Sequence, residues 1–182
     1  MSMSPVISDQ RTISPVFILV GAAILIGALD LIYACTYWNI SRGVPPLQIF
    51  QTVASGLLGM RSFRDGLVTV SFGALLQYLM LQAMVSTYYV VSRRLPVLIR
   101  QPWLYGPLYG LLLYVVMNLI VVPLSAAPKS PFVLSWIIGS IAVHVCLIGP
   151  LIAWFSRWAS TSHSSAQSQG NHLHPNNWGA ES

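Results

Sequence analysis

The chain has 182 residues, of which 55% are hydrophobic and only 7% charged, and it carries a net charge of +5. Soluble proteins carry about 25% charged residues, and a soluble core of this length cannot hide so much apolar surface. A mean hydropathy of +0.68 therefore points to a single membrane-embedded domain. The positive charge sits on arginines between and beside the apolar runs, with no basic stripe interleaved with aromatics. Anionic headgroups, rather than nucleic acid, are its expected partners.

Residues 1–13 are polar and read as a flexible tip. Ser14-Pro15 supplies an N-cap and a first helical position, opening a helix expected over 14–39. Its length of roughly 36 Å is enough to span a bilayer with some tilt. Tyr33, Tyr37 and Trp38 crowd its far end as an interfacial aromatic belt does. The apolar core is longer than the ~7–15 residues of a signal peptide. Asp30 interrupts it, and Tyr33 is bulky for the lipoprotein-like box ending at Cys35, so an uncleaved helix is expected. Cys35 and Cys146 both lie within apolar runs and read as small packing residues.

Ser41-Arg42-Gly43-Val44-Pro45-Pro46 breaks the first helix. The segment 47–60 that follows is too short to span, and it contains Gln48, Gln51, Thr52 and Ser55. It reads as a short helix that is either interfacial or re-entrant, and its length leaves both open. Further spans are expected over 67–91, 104–126 and 132–155. Pro128-Lys129-Ser130-Pro131 forms a tight turn between the last two, and a polar tail over 158–182 is expected to be disordered. The expected fold is thus all-α: an integral-membrane four-helix bundle over 14–157 with one additional short helix. Both termini fall on one side. Arg11, Arg93, Arg94, Arg100 and Arg157 on that side oppose Arg42, Arg61, Arg64 and Lys129 on the other, a small bias toward cytoplasmic termini.

Several polar residues lie inside the spans. Asp30 is an acid within the apolar run from Val16 to Trp38, and an acid at that depth costs about 2.5–3.5 kcal/mol on insertion scales. Ala23, Gly27, Asp30 and Ala34 share one helix face, and small residues around an acid describe a face turned toward another helix. With the helices laid alternately across a bilayer, Asp30, Gln77 and Asn118 reach nearly the same depth and His144 lies within about a turn of them. This predicts a buried polar layer of Asp30, Gln77, Asn118 and His144, with Tyr114 and Ser140 as secondary members. One reading has the layer satisfy itself and fix helix register. The other makes Asp30 and His144 a protonatable pair or ion site.

Gly106 and Gly110 form a GxxxG pair and, with Gly27, are expected to serve close helix packing. Pro123 removes a backbone donor and frees the Leu119 carbonyl beside Asn118. His172 and His174 fall in the polar tail, where solvation is the expected state. No phosphate loop, CxxC pair or nucleophilic triad spacing occurs, so neither an enzyme nor a cofactor or metal site is expected.

Two blocks, Leu29-Asp30-Leu31-Ile32-Tyr33-Ala34 and Gln51-Thr52-Val53-Ala54-Ser55-Gly56-Leu57-Leu58-Gly59, resemble the opening of the YagU-like family of bacterial inner-membrane proteins. Gly106-Pro107-Leu108-Tyr109-Gly110, Met117-Asn118 and Val122-Pro123-Leu124 are similar to that family's third helix, and His144 with Gly149-Pro150 to its fourth. The resemblance covers about residues 15–157. It implies a bacterial inner-membrane location and four helices, with a loose association with acid resistance and no accepted ligand or mechanism. The family pattern favours a histidine where this chain has Gln77, so a shared histidine-based proton relay is not implied. The expected function is a small multi-pass inner-membrane protein conducting protons or ions through its polar layer. The alternative is a non-transporting accessory subunit that docks a partner through its small-residue faces. The expected partners are the lipid bilayer and either further copies of the chain or a larger membrane complex.

Overall fold

The computed structural model describes residues 14–128 and 132–172, with side chains through Thr161. The expected tip over 1–13, most of the 128–131 turn and the end of the polar tail with His174 lie outside the described residues. Every regular element among the described residues is helical: α1 (Pro15–Arg42), α2 (Pro46–Leu58), α3 (Gly66–Arg94), α4 (Val97–Arg100), α5 (Pro102–Val116), α6 (Val122–Leu124), α7 (Leu134–Val143) and α8 (Gly149–His172). A 3-10 turn, Gly59–Phe63, links α2 to α3. Two π-helical turns, Met117–Val121 and His144–Ile148, join α5 to α6 and α7 to α8 without breaking either rod.

Four of the resulting helices among the described residues are long and apolar enough to cross a membrane: Pro15–Arg42, Gly66–Arg94, Pro102–Leu124 and Leu134–Thr161. α1 opens with Pro15 at its first position, where no amide donor is missed. It closes at Gly43, whose φ of 66° takes the left-handed turn while its amide and that of Val44 cap the Asn39 and Trp38 carbonyls. Each of the four spans runs at least one residue past its expected range at one end or both. The largest difference is at the C-terminus, where α8 runs on to His172 instead of giving way to a tail near Trp158. No proline or glycine interrupts the chain between Pro150 and Gly170, and extending an existing helix costs no new nucleation.

α8 is the hub of the bundle, packing against α1, α3 and α5. The apolar core is built from Leu19, Ala22, Ala23 and Ile26 of α1, Leu81, Val85 and Tyr88 of α3, Leu113 of α5, and Ile152, Ala153 and Ala159 of α8, with Ile148 from the π turn. It fills the half of the bundle nearer the termini. Two hydroxyls tie this half together: Tyr109 donates to the Met84 carbonyl at 2.9 Å and Tyr88 to the Leu98 carbonyl at 3.1 Å.

The glycines set how closely α5 and α8 approach. A Cβ on Gly106 would stand 2.8 Å from the Pro150 Cα, one on Gly110 would strike the His144 carbonyl, and one on Gly149 would strike the Gly106 carbonyl. Gly27 is buried, but a Cβ there would meet Leu81 at 3.7 Å, an ordinary contact.

α2 is a helix docked along α3. Phe50 lies against Gly73, where a Cβ would collide with the Phe50 carbonyl, and Gln51 reaches Thr69 at 3.5 Å. Its first turn lies beside α1, the Cys35 thiol facing the Pro46 carbonyl at 3.9 Å. Its last turn meets the end of α6, where the Ala126 amide donates to the Gly56 carbonyl at 2.9 Å. Cys35 and Gly73 each lie seven residues inside their helix ends, about 10 Å along the axis. The N-terminal end of α2 is thus held against the bundle about two turns inside the helix ends.

Candidate functional site

Above the apolar core the helices part around a cavity of about 200 Å³. Asp30, Gln77, Asn118, Ser140 and His144 all line it, so four spans each contribute a polar side chain to one space. Gln77, buried on the core face of α3, donates from Nε2 to Asp30 Oδ2 at 2.8 Å. This is the one direct side-chain bond within the expected layer. No other described group hydrogen-bonds the Asp30 carboxyl.

His144 and Asn118 each turn back to the carbonyl one helical turn earlier on their own helix. His144 Nδ1 lies 2.8 Å from the Ser140 carbonyl, and Asn118 Nδ2 lies 2.9 Å from the Tyr114 carbonyl. A carbonyl only accepts, so Nδ1 of His144 carries the proton and a neutral ring keeps its lone pair on Nε2. Tyr114 meets the imidazole edge to face with ring centres 5.8 Å apart. Asn118 departs from the expected buried layer. It is exposed at the cavity's edge beside the exposed Val122, because at about 100° per residue it falls off the inward stripe that Gly106, Gly110 and Leu113 follow.

Both π turns have the same local cause. A proline follows the first π residue by six positions in each case, Pro123 after Met117 and Pro150 after His144. Proline donates no hydrogen bond and its ring crowds the carbonyl four residues back, and a wider turn relieves that clash. The first residue of each turn, Met117 and His144, lines the cavity.

The floor of the cavity is apolar and shared with the core, formed by Leu81, Leu113 and Ile148. On the opposite side Trp136 stacks on Tyr33 with ring centres 5.4 Å apart, the Tyr33 hydroxyl filling the space that a side chain at Gly139 would need. Tyr37 and Trp38 extend this aromatic cluster, and Arg42 lies over the Trp38 ring at 5.8 Å. The belt expected at the end of α1 is thus a packed lid against α7.

Three methionines also line the cavity and are absent from the expected layer: Met80 and Met84 from α3 and Met117 from the π turn after α5. Met80 and Met84 follow Gln77 at helical spacing, a signal present in the sequence but one that ordinary core packing also produces. Among the described residues no group of three His, Cys, Asp or Glu side chains converges. Both cysteines are free and neither lines the cavity.

A bundle with four helices of this length and hydropathy is a multi-pass membrane protein. No family model, curated protein or solved structure matches the chain.

Proposed function

We propose that the protein is a small multi-pass membrane protein that binds a monovalent cation, protons included, at the Asp30 cavity and passes it across the membrane. Its place is the bacterial inner membrane, with a role in acid or envelope stress, as the resemblance to the YagU-like proteins suggests, and with cytoplasmic termini, as the small arginine bias suggests. The observation that carries this reading is the convergence of Asp30, Gln77, Ser140 and His144 on one cavity of about 200 Å³. That space holds several waters. A carboxyl with one partner at membrane depth is costly, and a bound cation or water supplies the interactions that Gln77 leaves unmade.

The apolar floor of Leu81, Leu113 and Ile148 supports alternating access: the cavity is reached from one side and the floor parts for release on the other. Purified protein in liposomes under an inward proton or sodium gradient tests this reading. Wild-type vesicles are expected to dissipate the gradient and Asp30→Asn vesicles to hold it. Equal leak through both contradicts conduction.

An accessory role is the second reading, and the close α5–α8 contact through Gly106, Gly110 and Gly149 counts against it. Those glycines are consumed within the chain, so they leave little small-residue surface for a partner. Co-purification of a stoichiometric partner without flux supports that second role.

A further inference from the structure

Besides the groups a proton or sodium ion would use, the cavity is lined by softer donors. Met80, Met84 and Met117 bring three thioethers to the space that His144 and Asp30 also line. Only four methionines have described side chains, the fourth being Met60 in the α2–α3 link, and His144 is the one histidine so described. Three of those four thioethers and that imidazole meet in one cavity. Core packing needs methionine in no such company, since leucine fills the same volume.

The imidazole is arranged as a ligand. Its Nδ1–H is held by the Ser140 carbonyl at 2.8 Å, and no described group hydrogen-bonds Nε2. A ring nitrogen fixed through its neighbour by a backbone carbonyl is the usual support of a metal-bound histidine. The charge count selects the ion's valence. Asp30 is the single acid on the cavity, and Gln77 orients it from 2.8 Å. One negative charge at membrane depth neutralises one positive charge, whereas a divalent ion would leave a net charge uncompensated. Thioether donors favour soft ions, Cu(I) first among the biological ones.

We propose that the cavity is a binding site for a soft monovalent metal ion, Cu(I) or its redox-inert analogue Ag(I), held by Met80, Met84, Met117 and His144 with Asp30 as counter-charge. This rests on the reading of the cavity as a cation site and names the class of cation. The two π turns are part of the site, because each presents its first residue, Met117 or His144, as a ligand. Such turns recur at functional positions in helices.

The test uses the full chain in detergent with Cys35→Ser and Cys146→Ser, which removes the thiols as competing soft donors. Equilibrium dialysis against Ag(I) is expected to give one ion per chain, and X-ray absorption at the silver edge is expected to show sulfur and nitrogen neighbours. Met80→Leu/Met84→Leu/Met117→Leu conserves core volume and is expected to weaken binding by roughly tenfold or more, the loss seen when a metal site loses its support. If that triple variant loses its helical circular dichroism, Met117→Leu alone carries the test and is expected to weaken binding severalfold. No bound silver, or an affinity unchanged by the leucine substitutions, overturns the proposal. Proton flux abolished by Asp30→Asn without silver binding overturns this inference and leaves the proposed function standing. Silver binding without flux supports the site and overturns conduction.

Discussion

Asp30 shows how much of a buried acid's cost its neighbours recover. The insertion penalty is about 2.5–3.5 kcal/mol. A hydrogen bond to a charged group returns about 1.5–3 kcal/mol, and Gln77 supplies one such bond at 2.8 Å. The two nearly balance, so the remaining oxygen needs only water or an ion in the cavity. Gln77→Leu removes the donor while keeping the bulk, and it is expected to lower the thermal midpoint in detergent. Asp30→Asn/Gln77→Leu is expected to recover most of the loss, because the orphaned carboxylate is gone. A double variant as unstable as the single one contradicts this pairing.

The glycines make a sharper residue-scale comparison. Gly110→Ala drives a methyl into the His144 carbonyl and is expected to cost about 1–3 kcal/mol or more. Gly27→Ala meets only Leu81 at 3.7 Å and is expected to leave the thermal midpoint within experimental error.

At the scale of the element, α2 and the π turns decide the shape of the polar half. A Cβ on Gly56 would lie 3.9 Å from the Ser125 Cβ, within the separation a disulfide spans. Gly56→Cys/Ser125→Cys in the Cys35→Ser/Cys146→Ser background is therefore expected to cross-link under mild oxidation, seen as a mobility shift reversed by reductant. Failure to cross-link contradicts the docking of α2 against the end of α6. Pro123→Ala restores an amide donor and removes the reason for the first π turn. It is expected to leave the thermal midpoint unchanged or higher.

The spans and the short helix are legible in the sequence because twenty-residue apolar runs and proline breaks are strong, local signals. The common depth of Asp30 and Gln77 is legible because helical rise is fixed. The exposure of Asn118 is legible too, because at about 100° per residue it falls off the face that Gly106, Gly110 and Leu113 share. Pro123 and Pro150 are visible as donors lost, but proline does not say whether a helix kinks, ends or widens. The extension of α8 to His172 is hidden by its polar composition, which describes solvation rather than backbone.

The whole molecule divides into a closed apolar half beside the termini and an opened half with a cavity, an aromatic lid and the docked α2. α8 joins the halves, its Ile152, Ala153 and Ala159 in the core and its preceding π turn on the cavity. The proposed conduction requires this cavity to be a hydrated chamber, not a dry layer that only sets helix register. Ala34 lines the cavity while Ile152 lies fully buried in the core. Single cysteines at these positions, in the thiol-free background and in sealed vesicles, report hydration directly through a small charged thiol reagent. Ala34→Cys is expected to be modified rapidly and Ile152→Cys to stay unreactive. Protection of Ala34→Cys equal to that of Ile152→Cys contradicts a hydrated chamber.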